Sequence, residues 1–201
     1  LLFRRVVRPW LVLPAHVNAN AGTRETVSLL FKRLASQVGA VGAFFVVTAI
    51  VINTIIPEFY RPFMAVVAPM MLVLPRLAAA FTRFLMAPDN PAYRIVHTDN
   101  VTAKAMVFHM FWMSFLIGST FFILSFNAAN GVPGGETRLG LWLNLALDVS
   151  LAIVIWRYRR GLVTMMRGAE PDVSPREERS ARAFPLFGLA VTIGTWCVVN
   201  I

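Results

Sequence analysis

Between Leu34 and Ile56 the chain runs 23 residues without an Asp, Glu, Lys or Arg. At 1.5 Å per residue a helix over this run is about 34 Å long, enough to cross a hydrocarbon core of about 30 Å with some tilt. It closes on Pro57-Glu58-Phe59-Tyr60-Arg61-Pro62, a polar turn with aromatic residues of the kind found at headgroup level. The run therefore predicts a membrane span.

The rest of the composition agrees. The chain is 57% hydrophobic and only 14% charged, with a mean hydropathy of +0.65, whereas a soluble globular domain carries about 25% charged residues. Disorder needs low hydrophobicity and high charge, and 16 Phe, 5 Trp and 9 Met exclude it. Four further spans follow. Residues 62–84 cross if the helix continues through Ala78-Ala79-Ala80 with Arg76 and Arg83 snorkelling, and Pro69 and Pro75 predict a kink inside it. Ala87-Pro88-Asp89-Asn90-Pro91 then breaks the chain, and Asp99 and Asn100 stand where they would cap a new helix. The third span covers about 105–126, the fourth 139–156 and the fifth 183–201. Residues 1–33 form a cytoplasmic-side, interfacial lead-in, and 168–182 a polar linker with a short helix. The expected fold is all-α and integral to the membrane, a bundle of about five transmembrane helices over 34–201.

Basic residues test that topology, because cytoplasmic segments collect Lys and Arg. Six fall in residues 1–33, one in the first turn, four from Arg76 to Lys104, one in the third loop and seven after the fourth span. The alternation places the amino end in the cytoplasm and the carboxyl end outside. It also turns the net charge of +9 into topology and anionic-lipid contacts rather than a nucleic-acid surface. The opening Leu-Leu-Phe-Arg-Arg has no signal-peptide plan and reads as part of a longer protein.

Few residues could carry chemistry. Asp148 is the one acid at mid-span, four residues after Asn144 on the same face. An ionisable group there is a functional candidate, either a packing clasp with a polar partner on a neighbouring helix or an ion- or proton-coupling carboxylate. The fourth helix could also begin later than drawn. His109 lies near the interface and suits a headgroup or interhelical hydrogen bond, and His16 and His97 fall in polar segments, so no metal set is expected. Cys197 is a lone cysteine. No GxSxG, HExxH, SxxK or Walker pattern occurs, so neither an enzyme nor a cofactor is expected. Ala35, Gly39 and Ala43 form a small-residue stripe that would pack the first helix against another. The aromatic residues of the third span read as lipid-facing or interhelical filling.

Two segments carry a resemblance. Arg83-Phe-Leu-Met-Ala-Pro88, continued by Pro91-Ala-Tyr-Arg94-Ile-Val96-His-Thr-Asp99-Asn100-Val-Thr-Ala103-Lys104, and the basic stretch Trp156-Arg157-Tyr-Arg159-Arg160-Gly-Leu-Val-Thr-Met-Met-Arg167-Gly168 resemble larger members of the small-conductance mechanosensitive channel (MscS) superfamily, over about residues 73–201. The Ala181-Arg182-Ala-Phe184 lead into the last span is similar as well. The resemblance implies a homoheptamer in the bacterial inner membrane that opens under tension in hypo-osmotic shock, with membrane lipids as partners. It further implies that ions and small solutes pass a pore outside this chain. Arg76, Arg83, Arg94, Lys104, Arg157, Arg159 and Arg160 are then the lipid-interface residues. The rival expectations are a secondary-transporter fragment using Asp148 as coupling carboxylate and a scaffold subunit without conductance.

Overall fold

A computed structural model describes residues 23–132, 137–168 and 172–200. Arg4, Arg5, Arg8, His16 and the glycines at 134 and 135 lie outside the described residues. All regular structure within them is helical. Helix α1 covers Thr23–Ile55, α2 Arg61–Val67, α3 Leu74–Met86, α4 Asn100–Ala129, α5 Leu139–Arg157, α6 Arg159–Arg167 and α7 Pro175–Asn200. Five stretches are long and apolar enough to cross a membrane: Leu30–Ile55, Glu58–Met86, Asn100–Ala129, Leu139–Arg157 and Pro175–Val198.

Three boundaries differ from those expected. The first helix starts inside the lead-in, so Lys32 and Arg33 are helical. The third starts at Asn100 because Asp99 accepts the Thr102 backbone N–H at 2.8 Å, the N-cap that its position announced. The fifth reaches back to Pro175 across most of the polar linker. There Ser174 and Glu177 form a reciprocal capping box, the Ser174 N–H donating to Glu177 Oε2 at 3.0 Å and the Glu177 N–H to Ser174 Oγ at 3.3 Å. Pro175 sits at the first helical position, where its missing N–H is harmless.

The second span bends without breaking. Pro69 and Pro75 each remove a backbone donor, and Ala68–Val73 between α2 and α3 widens into a π-helical turn in which the Leu74 N–H reaches Pro69 O. Gly118 of α4 lies directly against this turn. A Cβ at Gly118 would sit 2.7 Å from Met70 C and 3.1 Å from Met71 Cα and closer still to Met70 O, so glycine is what lets the two backbones meet. Phe63 extends the contact onto the Phe122 and Phe126 rings, at 5.1 and 5.8 Å between centroids.

Among the described residues, the extensive backbone contacts join consecutive spans: α1 with the α2–α3 unit, that unit with α4, α4 with α5, and α5 and α6 with α7, with α6 also touching the first turns of α4. The expected bundle is thus an open row of helices. The residues of the small stripe, Ala35, Gly39 and Ala43, are all exposed rather than buried against another described helix. Real burial gathers at one end of the row. Leu30, Ala87 and Tyr93 form one cluster with Phe84 against it, and Met86, Ala103 and Met106 form another with Val154, Tyr158 and Leu162 around it.

Candidate functional site

The sequence-expected basic residues fall into three settings. Arg94 is half-buried and its guanidinium is engaged within the chain: Nε donates to Met86 O at 2.8 Å, one terminal nitrogen to Thr98 O and the other to Asn100 Oδ1 at 2.6 Å. It clamps the connector between α3 and α4. Ala87 terminates α3 in the left-handed region, with φ 34°, and Pro88 prevents the helix from resuming. The Ile95 and Val96 N–H groups then fold back onto Leu85 O. Arg33 of α1 ties into the same connector through Asp89, at 3.1 Å. The expected lipid contact at Arg94 is therefore a structural clasp. Arg83 and Lys104, by contrast, are exposed beside it.

Arg157, Arg159 and Arg160 gather where α5 turns into α6. Tyr158 leaves helical geometry at φ −108°, and Gly161 permits α6 to press on the first turn of α4, where its Cβ position would lie 2.8 Å from Thr102 Cβ. His109 reaches the same junction, its ring 5.2 Å from that of Tyr158. A headgroup or interhelical hydrogen bond is the expectation for His109; the structure shows this ring contact between α4 and the α5–α6 corner.

Beside that junction a groove of about 450 Å³ opens between the α5–α6 corner and α7. Val163, Leu186 and Leu189 line its wall, and Arg159, Arg160 and Arg182 stand at its mouth. Arg159 lies over the Trp156 ring at 4.7 Å and donates to Trp156 O at 3.0 Å. Arg182 is held by Glu178 at 2.8 Å, and Glu178 also meets Arg167 at 3.4 Å. One carboxylate among four guanidinium groups leaves the mouth positively charged. Sequence reading missed Arg182 as part of this set; the Ser174-Pro-Arg-Glu177 cap, which starts the helix early and brings Glu178 and Arg182 onto one face at i and i+4, was the available signal.

A second groove, of about 410 Å³, lies between α1 and α3, lined by Ala40, Val41, Ala43, Phe44 and Val47 with Arg76 beside them. Arg76 stands ten residues before Met86, about 15 Å along the helix from that end. Its guanidinium lies 4.4 Å from the Phe44 ring centre, and Nη1 donates back to Leu72 O at 2.9 Å. The side chain thus turns away from the end towards which it was expected to snorkel, as a helical Cα–Cβ bond tilted to the amino terminus favours.

Asp148 and Asn144 are half-buried at the middle of α5, and neither side chain makes a hydrogen bond or ion pair within the described residues. The polar partner expected of Asp148 on a neighbouring helix is not found among the described residues. Among the described residues no three His, Cys, Asp or Glu side chains come together as a metal-binding set. No protein-family model, curated protein or solved structure matches the chain.

Proposed function

We propose that this chain is a multi-pass region of a bacterial inner-membrane protein, the peripheral tension-sensing part of a homoheptameric mechanosensitive channel that opens in hypo-osmotic shock. Ions and small solutes would pass a pore that these helices flank. The observation that carries the reading is the pairing of an open helix row with apolar grooves whose mouths are basic. Large side chains stand exposed along every span, among them Val47, Ile55, Phe108, Phe121, Trp142, Ile153, Phe187 and Ile193. An apolar surface this continuous is unsustainable in water and suits acyl chains. Arg159, Arg160 and Arg182 favour an anionic headgroup at the mouth of the α5–α7 groove while its wall takes the tail. A row that touches only its sequence neighbours can spread in the membrane plane and release such lipid as area grows.

Patch-clamp of the full-length protein in liposomes under suction tests this. Pressure-gated current is expected, and Arg159→Gln with Arg160→Gln should shift the threshold while leaving single-channel conductance unchanged. Absence of current in the assembled protein would sink the channel reading. A changed conductance would put these residues in the pore and refute the peripheral assignment.

A further inference from the structure

Two opposite charges stand at matching depth in this chain, and neither has an ion-pair partner among the described residues. Arg76 is ten residues from Met86, where α3 ends, and Asp148 is nine residues from Arg157, where α5 ends. Both ends lie on the basic side of the row, so the charges sit about 15 and 14 Å from it along their helices. The ion pairs among the described residues are Arg33 with Asp89 and Glu178 with Arg167 and Arg182. Arg76 has only a backbone carbonyl and an aromatic face.

Within one chain they are kept apart. Arg76 belongs to α3, whose neighbours are α1 and α4, and Asp148 to α5, whose neighbours are α4, α6 and α7. Helix α4 stands between them. Both remain reachable from outside: Arg76 is exposed, Asp148 is half-exposed, and α5 has no buried residue along its length. An ionised side chain at mid-membrane is stable only with a counter-charge or water, and an arginine fork and a carboxylate are geometrically matched.

We infer that Arg76 of one copy pairs with Asp148 of a neighbouring copy, joining the α3 side of one row to the α5 side of the next. The inference rests on the reading that copies of this chain assemble, and it assigns that assembly an intramembrane contact. Because donor and acceptor lie on opposite sides of α4, the contact joins unlike sides of two rows and, where it repeats head-to-tail and the rotation closes, forms a ring.

The test uses the full-length protein in a Cys197→Ser background, with two differently tagged copies expressed together, one carrying Arg76→Cys and the other Asp148→Cys. A bifunctional maleimide is preferable to oxidation, because an Arg–Asp pair holds its Cα atoms further apart than the 4.4–6.8 Å usual of a disulfide. A covalent species carrying both tags is expected, and is lost when either cysteine is omitted. If both cysteines placed in one copy crosslink only within that copy, the inference is overturned. Charge exchange is the second arm: Arg76→Asp and Asp148→Arg should each lower the fraction of oligomer on a native gel, and the double variant should restore it. Oligomers untouched by the single variants overturn the pairing and leave assembly standing. A monomeric wild-type protein overturns both, whereas loss of pressure-gated current with the crosslink intact would fail the channel reading alone.

Discussion

Replacing Gly118 with alanine tests the packing on which the row depends. The added methyl would stand 2.7 Å from Met70 C and 3.1 Å from Met71 Cα, against an ordinary carbon contact of about 3.5–4.0 Å. Relief needs α4 and the π-helical turn to part by about 1 Å. No rotamer change supplies it, since every atom met is backbone. Overpacking of this kind costs about 1–3 kcal/mol, while alanine in place of a helical glycine recovers about 1 kcal/mol. Gly194 of α7, whose Cβ position meets nothing within 4 Å, shares the second term without the first. The difference between Gly118→Ala and Gly194→Ala therefore isolates the steric term. Measured as unfolding free energy in mixed detergent micelles, Gly118→Ala should fall below Gly194→Ala by about 1–3 kcal/mol. Equal stability of the two would show that the π-helical turn yields freely and that the Met70–Gly118 contact holds nothing together.

Three further outcomes follow from the connector end of the molecule, around the start of α4. Gly161→Ala meets the Thr102 side chain rather than backbone, so Thr102→Ala in the same chain should recover part of the stability lost; simple additivity in a double-mutant cycle would refute the contact. Arg94→Lys replaces a planar fork serving Met86 O, Thr98 O and Asn100 Oδ1 with a point charge, and should raise the rate of proteolytic cleavage within residues 87–99; an unchanged rate would show that the connector holds without the clasp. The Thr102 side chain, then its backbone N–H, holds the Asp99 carboxyl below its ordinary range. A depressed acid stabilises the fold above the unfolded-state value of about 3.9 and ceases to as pH falls through the lower folded value. Amide protection of the first turn of α4, corrected for intrinsic exchange, should therefore drop below about pH 3.9, and Asp99→Asn, which keeps the cap, should abolish the dependence.

Helices and caps were legible in the sequence because each rests on local rules. Long apolar runs, charge-free in the first, third and fifth and interrupted by Arg76, Arg83 and Asp148 in the second and fourth, marked the five crossing-length stretches, and Asp99 announced the start of α4. Boundaries slipped where charge was taken as an end signal, since Arg33, Lys104 and Arg182 all sit within helices, Arg33 half-buried in its pair with Asp89 and the other two exposed. The π-helical turn was visible only as a kink, because two prolines specify lost donors and leave open which wider ring replaces them. Arg94 looked like the other interface arginines; its role depends on Met86 O, Thr98 O and Asn100 converging, which no periodicity encodes. The row in place of a bundle was illegible for a related reason. Apolar residues surround α4 and α5 on all sides, so their sequences do not say which face meets a helix and which meets lipid.

The distribution of burial gives the row a mechanical direction. From Gly42 to Val67, from Phe121 to Val132 and from Thr137 to Ser150 no described residue is buried. The opposite end holds Leu30, Met86, Ala87, Tyr93, Ala103, Met106 and Gly161 in clusters, with the Arg94 clasp and the Arg33–Asp89 pair across them. Contacts that hold a helix pair together are lost in proportion to the atoms in contact, so lateral strain separates the outer turns, which lie beyond the Gly118–Met70 contact, before the clustered ends. On the tension-sensing reading the clustered ends act as the fixed side and the outer halves as the compliant one. Arg76 and Asp148, roughly halfway along, lie where the two regimes meet, and a pair formed there between copies would carry the strain of one row into the next.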